Sequence, residues 1–229
     1  MTAQEMILNF RVNVDKTNSL SVASFDDVEI YLWLNKAQER FVKTRYTGNN
    51  LHRVGFEQNQ KRMDDLSALI RRVDILPVPT VVGYSNSDSP NSFFFPMPLD
   101  YMLSINERAD VKETNCNIMR NVGVYPVTTD TLNDLLNSPF SPHILKGGRT
   151  KPLRLMINNH NELITDGNYS INLFIMRYIK IPVPIDGDSD CELREHTHQE
   201  IVDMASAMAI ENIESSRWQS KTIDNSIIE

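Results

Sequence analysis

The sequence predicts an α+β chain: a helical bundle built from the N- and C-terminal helices, with an inserted antiparallel, β-rich, sandwich-like domain. Three observations predict it. Apolar residues recur at spacings of three and four through the first 75 residues, as on one face of a helix. From about residue 76 to 185 the pattern turns to alternation and short apolar runs bounded by turn residues, as in strands. Beyond residue 190 helical spacing returns. A helix after such an insertion most simply packs on the helices before it. The expected organisation is a helical domain over 1–75 and 190–214, a β-rich domain over 76–189 and an extended tail over 215–229.

Taken in order, Ile7, Phe10 and Val14 give a short first helix. The second opens on Ser24-x-x-Asp27, where a hydroxyl caps a free amide and an acid faces the positive end of the dipole. Ile30, Leu34, Ala37 and Phe41 mark its buried stripe, and Val28, Tyr31, Leu32 and Trp33 widen that stripe early on. Gly48, Asn49 and Asn50 stop it, because both residue types accept the left-handed conformation. Phe56, Met63, Leu66, Ile70 and Val73 predict a third helix, with Glu57 near its start and Arg71 and Arg72 near its end. Pro77 and Pro79 forbid continuation.

Strands are expected over 78–82, 92–95, 102–106, 117–124 and 153–157, with a short helix over 131–137 burying Leu132, Leu135 and Leu136. The strongest hairpin signal is 162–179, turned by Asp166-Gly167. Tyr169, Ile171, Leu173 and Ile175 alternate with polar residues, and then Phe174, Met176 and Tyr178 make the other face apolar too. Such a strand lies between two layers or faces a neighbouring subunit. Residues 186–190 form a polar linker. Thr197-x-x-Glu200 has the spacing of a capping box for the last helix, whose faces carry Ile201, Ala205 and Met208, and Val202, Ala209 and Ile213. The tail is polar, with Trp218, Ile223, Ile227 and Ile228 scattered through it.

Composition narrows the function. The 229 residues carry a formal charge of −7, whereas a protein that grips DNA by its phosphates needs a basic surface. Two cysteines, Cys116 and Cys191, are too few for a disulfide framework and fit a reducing compartment. No apolar run approaches the roughly 20 residues that span a bilayer, and the N-terminus lacks the pattern of a signal peptide. The expectation is a soluble chain made in cytoplasm, with no membrane partner.

The residue types of reactive sites are present, but without converging patterns. Two places apart on a helix, His196 and His198 point to different sides, so they and Cys191 do not predict a zinc site. Gly147-Gly148 lacks the spacing of a phosphate loop. Asp186, Asp188 and Asp190 resemble the start of a calcium loop, but Thr197 stands where its glutamate belongs. Asp26-Asp27 and Asp64-Asp65 are adjacent pairs that diverge on a helix. No catalytic residue, cofactor or metal is expected.

Four segments carry a family resemblance: DDVEIYLWLNKAQERFVKTRY, NSPFSP, RYIKIP and ELREHTHQEIVDMASAMAIENIESSRWQ. In this order, from Asp26 to Gln219, they resemble the ring proteins (head–tail connector, or tail-tubular adaptor-like) of crAss-like and other short-tailed phages. The resemblance implies a structural virion protein and not an enzyme. It implies a homo-oligomeric ring, usually a dodecamer, beneath the portal protein and against adjacent ring and tail proteins. Genomic DNA would pass through its channel during ejection without sequence-specific binding. The expected interface residues are Phe174, Met176, Tyr178, Trp218, Ile223, Ile227 and Ile228. The alternatives are a monomeric protein-binding adaptor or assembly chaperone, and an enzyme whose site forms from residues distant in sequence.

Overall fold

A computed structural model describes residues 1–15, 25–47, 56–78, 89, 91–114, 118–146 and 149–212. The fold class is α+β. In chain order the elements are α1 (Ala3–Asp15), α2 (Asp27–Tyr46), α3 (Gln60–Leu66), β1 (Ile70–Ile75), β2 (Ser92–Pro96), β3 (Tyr101–Glu113), β4 (Met119–Gly123), β5 (Tyr125–Pro126), α4 (Thr129–Asn137), β6 (Leu153–Ile157), β7 (His160–Ile164), β8 (Tyr169–Lys180) and α5 (His198–Asn212). Two compact units emerge: residues 1–70 with 181–229, and residues 71–180. Both boundaries differ from the expected ones. Residues 70–75 are a strand, and the segment after Lys180 is bonded to α2.

In the helical unit, α5 packs against α1 and α2. Met6, Ile7, Phe10 and Val14 of α1, Ile30, Leu34, Ala37, Phe41 and Val42 of α2, and Ile201, Val202, Ala205, Ala209 and Ile210 of α5 are buried. The alanines let the helix axes approach closely. The capping pattern of α2 starts two residues later than expected: Asp26 is the N-cap, and its N–H donates to the Glu29 carboxylate at 3.2 Å. Ser24 lies outside the described residues. After Lys180 the chain is irregular but anchored. The Asn35 amide both donates to Ile185 O (3.0 Å) and accepts from Ile185 N (2.7 Å), and Gln38 Nε2 donates to Val183 O (3.2 Å).

The long third helix is not formed. A 3-10 turn at Phe56–Gln58 leads into α3, which ends in a second 3-10 turn at Ser67–Leu69. Ser67 Oγ donates to Asp64 O at 2.7 Å, competing with helical bonding. The β-branched Ile70, Val73 and Ile75 then favour the strand β1, so Arg71 and Arg72 stand on a strand and not at a helix end. The expected Thr197 cap also fails: its hydroxyl donates to Arg194 O at 2.7 Å within a 3-10 turn, and Glu200 is drawn to Arg45.

In the β unit, one sheet has the order β1-β8-β3-β4 and the other β2-β7-β6-β5. Ladders β3–β8, β3–β4, β2–β7 and β6–β7 are antiparallel, and β5–β6 is parallel. A single apolar cluster draws on both sheets, including Ile75, Phe95, Val111, Val122, Leu163 and Phe174. The Phe95 and Phe174 ring centroids are 5.5 Å apart. On a second cluster, α4 sets Leu132 with Leu153, Leu155 and Ile164.

The expected hairpin over 162–179 is not a hairpin. β7 and β8 belong to different sheets, and Asp166-Gly167 carries the chain from one to the other. Gly167 has φ +83°, and a Cβ there would stand 2.9 Å from Asn91 Nδ2. The tight hairpin is β6–β7, where Ile157 pairs with His160 across Asn158 and Asn159, at φ 44° and 63°. Strand β3 runs far beyond the expected 102–106; of the strand expected over 78–82, Val78 makes a bridge to Phe94, and residues 79–82 lie outside the described residues.

Candidate assembly surfaces

The two apolar faces read on β8 have one physical origin. Asp110 pairs with Leu173 and Val111 with Ile171, so Asn172 is an extra residue in the ladder, a β-bulge. One extra residue inverts the alternation. Tyr169 and Ile171 before the bulge, and Phe174, Met176 and Tyr178 after it, therefore face the same core. Phe174 and Met176 are fully buried and Tyr178 is 5% exposed. They are core residues of the subunit, which corrects their assignment to an interface. Trp218, Ile223, Ile227 and Ile228 lie outside the described residues.

The candidates for chemistry are held by structural bonds. His196 Nε2 is 2.8 Å from Asp65 Oδ1, while the buried His198 is bonded to Leu193 O at 2.9 Å. Asp186 accepts from Asp188 N (2.9 Å) and Ser189 N (2.7 Å), and these bonds hold its carboxyl below the usual range. Asp190 accepts from Ala3 N at 2.6 Å. Burial pushes the Cys191 thiol up. Arg72 pairs with Asp74 at 3.2 Å. Among the described residues, no three or more His, Cys, Asp or Glu side chains are grouped to hold a metal ion. Gly147 and Gly148 lie outside the described residues.

A charged network does converge inside the helical unit. Arg45 of α2 meets Asp65 of α3 at 3.0 Å and Glu200 of α5, and Lys61 lies 3.6 Å from Glu200. Arg45 also lies over the Phe41 ring, 4.7 Å from its centroid. These residues tie three helices together. Sequence spacing gives no sign of it, because Arg45 and Glu200 are 155 positions apart.

The outward surfaces are more distinctive. Phe140, in the NSPFSP segment after α4, is 86% exposed. Its backbone is braced: Phe140 N donates to Ser138 Oγ, Ser141 N to Ser138 O and Lys151 N to Pro142 O (3.4, 3.2 and 2.8 Å). Bonds within the β unit add to this. Tyr169 Oη donates to His143 O at 2.9 Å, and Leu145 N donates to Asp166 Oδ2 at 2.7 Å. Burial holds the His143 ring below the ordinary histidine range, against the pull of Asp166. Phe140 stands between Pro139 and Pro142, outside any helical or strand periodicity that would mark it as core.

On α2, Val28 and Leu32, which widen the expected buried stripe, are 79% and 52% exposed. On α1, Leu8 and Val12 are exposed as well. Further along α2, Lys36, Arg40 and Lys43 line an open polar cleft of about 380 Å³ with Glu39, Thr44 and Thr47. In the β unit, Arg72, Arg108 and Arg177 surround Ile175 on the outer face of the first sheet.

Exposed apolar side chains on braced elements suit contact with other proteins, the class of protein to which its relatives also point. A profile of the phage tail ring protein 3/4 family matches residues 1–221, and the chain belongs to that family, the ring proteins of crAss-like phages. It is 27% identical to Ring protein 3 of Bacteroides phage crAss001, over 92% of this chain and 95% of that one. It is also 27% identical to Ring protein 4/5 of the same phage, over 91% and 92%.

Proposed function

We propose that this chain is a non-enzymatic structural subunit of a phage head-to-tail connector. Copies form a closed ring beneath the portal protein, extend the DNA channel and dock tail components in the virion. The observation that carries this reading is the family match along nearly the whole chain, with relatives named as ring proteins. A ring of twelve is the expected size. The helices from both chain ends act as a bundle that carries the β unit as an inserted sandwich, an arrangement favoured by the packing of α5 on α1 and α2 and by the apolar cluster shared between two sheets.

The net charge of −7 supports passage of DNA without tight binding, since few cations are available to release counterions. The tail contributes to assembly through Trp218, Ile223, Ile227 and Ile228, docking on a neighbour; sparse apolar residues in a polar segment suit ordering on binding. Negative-stain electron microscopy of the purified chain at high concentration tests the reading. Closed rings with a central hole are expected. A monomer at every concentration, with no binding to a portal, would favour an adaptor instead. Trimming the chain after Arg217 tests the tail: unchanged assembly would remove it from the interface.

A further inference from the structure

We propose that neighbouring copies in the ring join by seating Phe140 of one copy on the Val28–Leu32 face of α2 in the next. This inference rests on the ring reading and names the surfaces that close it.

A cyclic ring needs two different patches on each subunit that fit each other. Phe140 is the centre of one: a large aromatic, 86% exposed, on a backbone braced by hydrogen bonds. An aromatic pre-ordered in this way loses little entropy on binding, which is how interface anchors gain affinity. Its surroundings are basic. Lys146 Nζ donates to Pro139 O at 3.0 Å and lies 5.2 Å from the centre of the Phe140 ring. Arg149 and Lys151 are exposed, and the sequence from 138 to 151 contains no Asp or Glu.

The opposite patch is on the helical unit. Val28 and Leu32 are one helical turn apart and both exposed, so they share a face of α2. Asp26, Asp27 and Glu29 surround the start of that face. Arg11 bonds Asp27 at 2.5 Å, which brings α1 beside it. Apolar centre and charged rim therefore match in kind and oppose in sign. The pattern extends to whole units. The helical unit has 20 acidic against 12 basic residues, a formal −8, and the β unit has 11 basic against 10 acidic, a formal +1. Complementary charge favours contact between unlike units of two copies over contact between like ones.

The test is assembly of the full chain, followed by native mass spectrometry and negative-stain microscopy. Phe140→Ala is expected to weaken ring closure by about 30-fold or more, the effect of losing an anchor aromatic. Far-ultraviolet circular dichroism equal to the parent establishes that the variant is folded. Reversing the rim with Arg149→Glu and Lys151→Glu is expected to weaken assembly, and adding Asp27→Lys, which leaves the α2 cap of Asp26 and Glu29 in place, to restore part of it. Rings formed by Phe140→Ala as readily as by the parent would overturn this docking and leave the ring reading intact. A parent chain that never assembles would instead count against the ring reading itself. Rings that form normally but lose another virion protein would assign Phe140 to that protein and also overturn the proposal.

Discussion

Arg45 Nε lies 3.0 Å from Asp65 Oδ2, with 4% and 1% of the two side chains exposed, so a charge pair joins α2 to α3 inside the helical unit. Burying two charges is costly, and the network holds because Glu200 adds a second carboxylate to the same guanidinium. Among the described residues, removing Arg45 leaves the buried Asp65 with only His196 beside it, and Glu200 with only Lys61. Arg45→Ala is therefore expected to destabilise the helical unit by about 3–5 kcal/mol, measured as a shift in urea unfolding. Asp27→Ala breaks only the exposed pair with Arg11 and is expected to cost about 0–1 kcal/mol.

The bulge at Asn172 sets which side of β8 meets the core. Deleting Asn172 would restore plain alternation and turn either Tyr169 and Ile171, or Phe174, Met176 and Tyr178, away from it. The deletion is expected to abolish folding of the β unit, seen as loss of near-ultraviolet circular dichroism. Phe174→Ala keeps the register but opens a cavity, with an expected cost of about 3–5 kcal/mol.

Acid weakens the bracing near Phe140 through His143. Burial lowers the pKa of this ring in the folded chain from its ordinary value of 6.5. As pH falls through 6.5 the unfolded chain takes up a proton that the folded chain does not, so unfolding becomes easier. The contribution is complete above 6.5 and declines until the lowered folded value is passed. Urea midpoints at pH 7.5 and 5.5 are expected to differ more for the parent than for His143→Gln.

Asn158 and Asn159 both adopt positive φ in the β6–β7 turn. Asn159→Gly supplies the residue that this turn prefers and is expected to leave stability unchanged or raise it by a few tenths of a kcal/mol. Asn159→Val puts a β-branched residue in the left-handed region, at an expected cost of about 1–2 kcal/mol. Thermal unfolding of the two variants separates these outcomes.

The helices with strong apolar periodicity were legible: Ile7, Phe10 and Val14, and Ile30, Leu34, Ala37 and Phe41, are buried as their spacing requires. The strand at Leu153–Ile157 also stands where its pattern places it. What failed depended on partners distant in sequence. Asp166-Gly167 has the local chemistry of a hairpin turn, but sheet membership is set by which strands each side can reach. The helical spacing of Phe56 to Val73 coincides by chance with a short helix followed by a strand, and no local rule fixes the switch at Ile70. For the surfaces, a bulge cannot be read from one strand alone, so Phe174, Met176 and Tyr178 looked available. Val28 and Leu32 looked buried because apolarity marks a core and an interface in the same way.

Cryo-electron microscopy of intact virions is the most direct measurement of the central claim. The expected result is this fold traced as a closed ring of identical copies around the tail axis, below the portal. A virion map with no ring of this fold on that axis, or with isolated single copies of it, would contradict the claim.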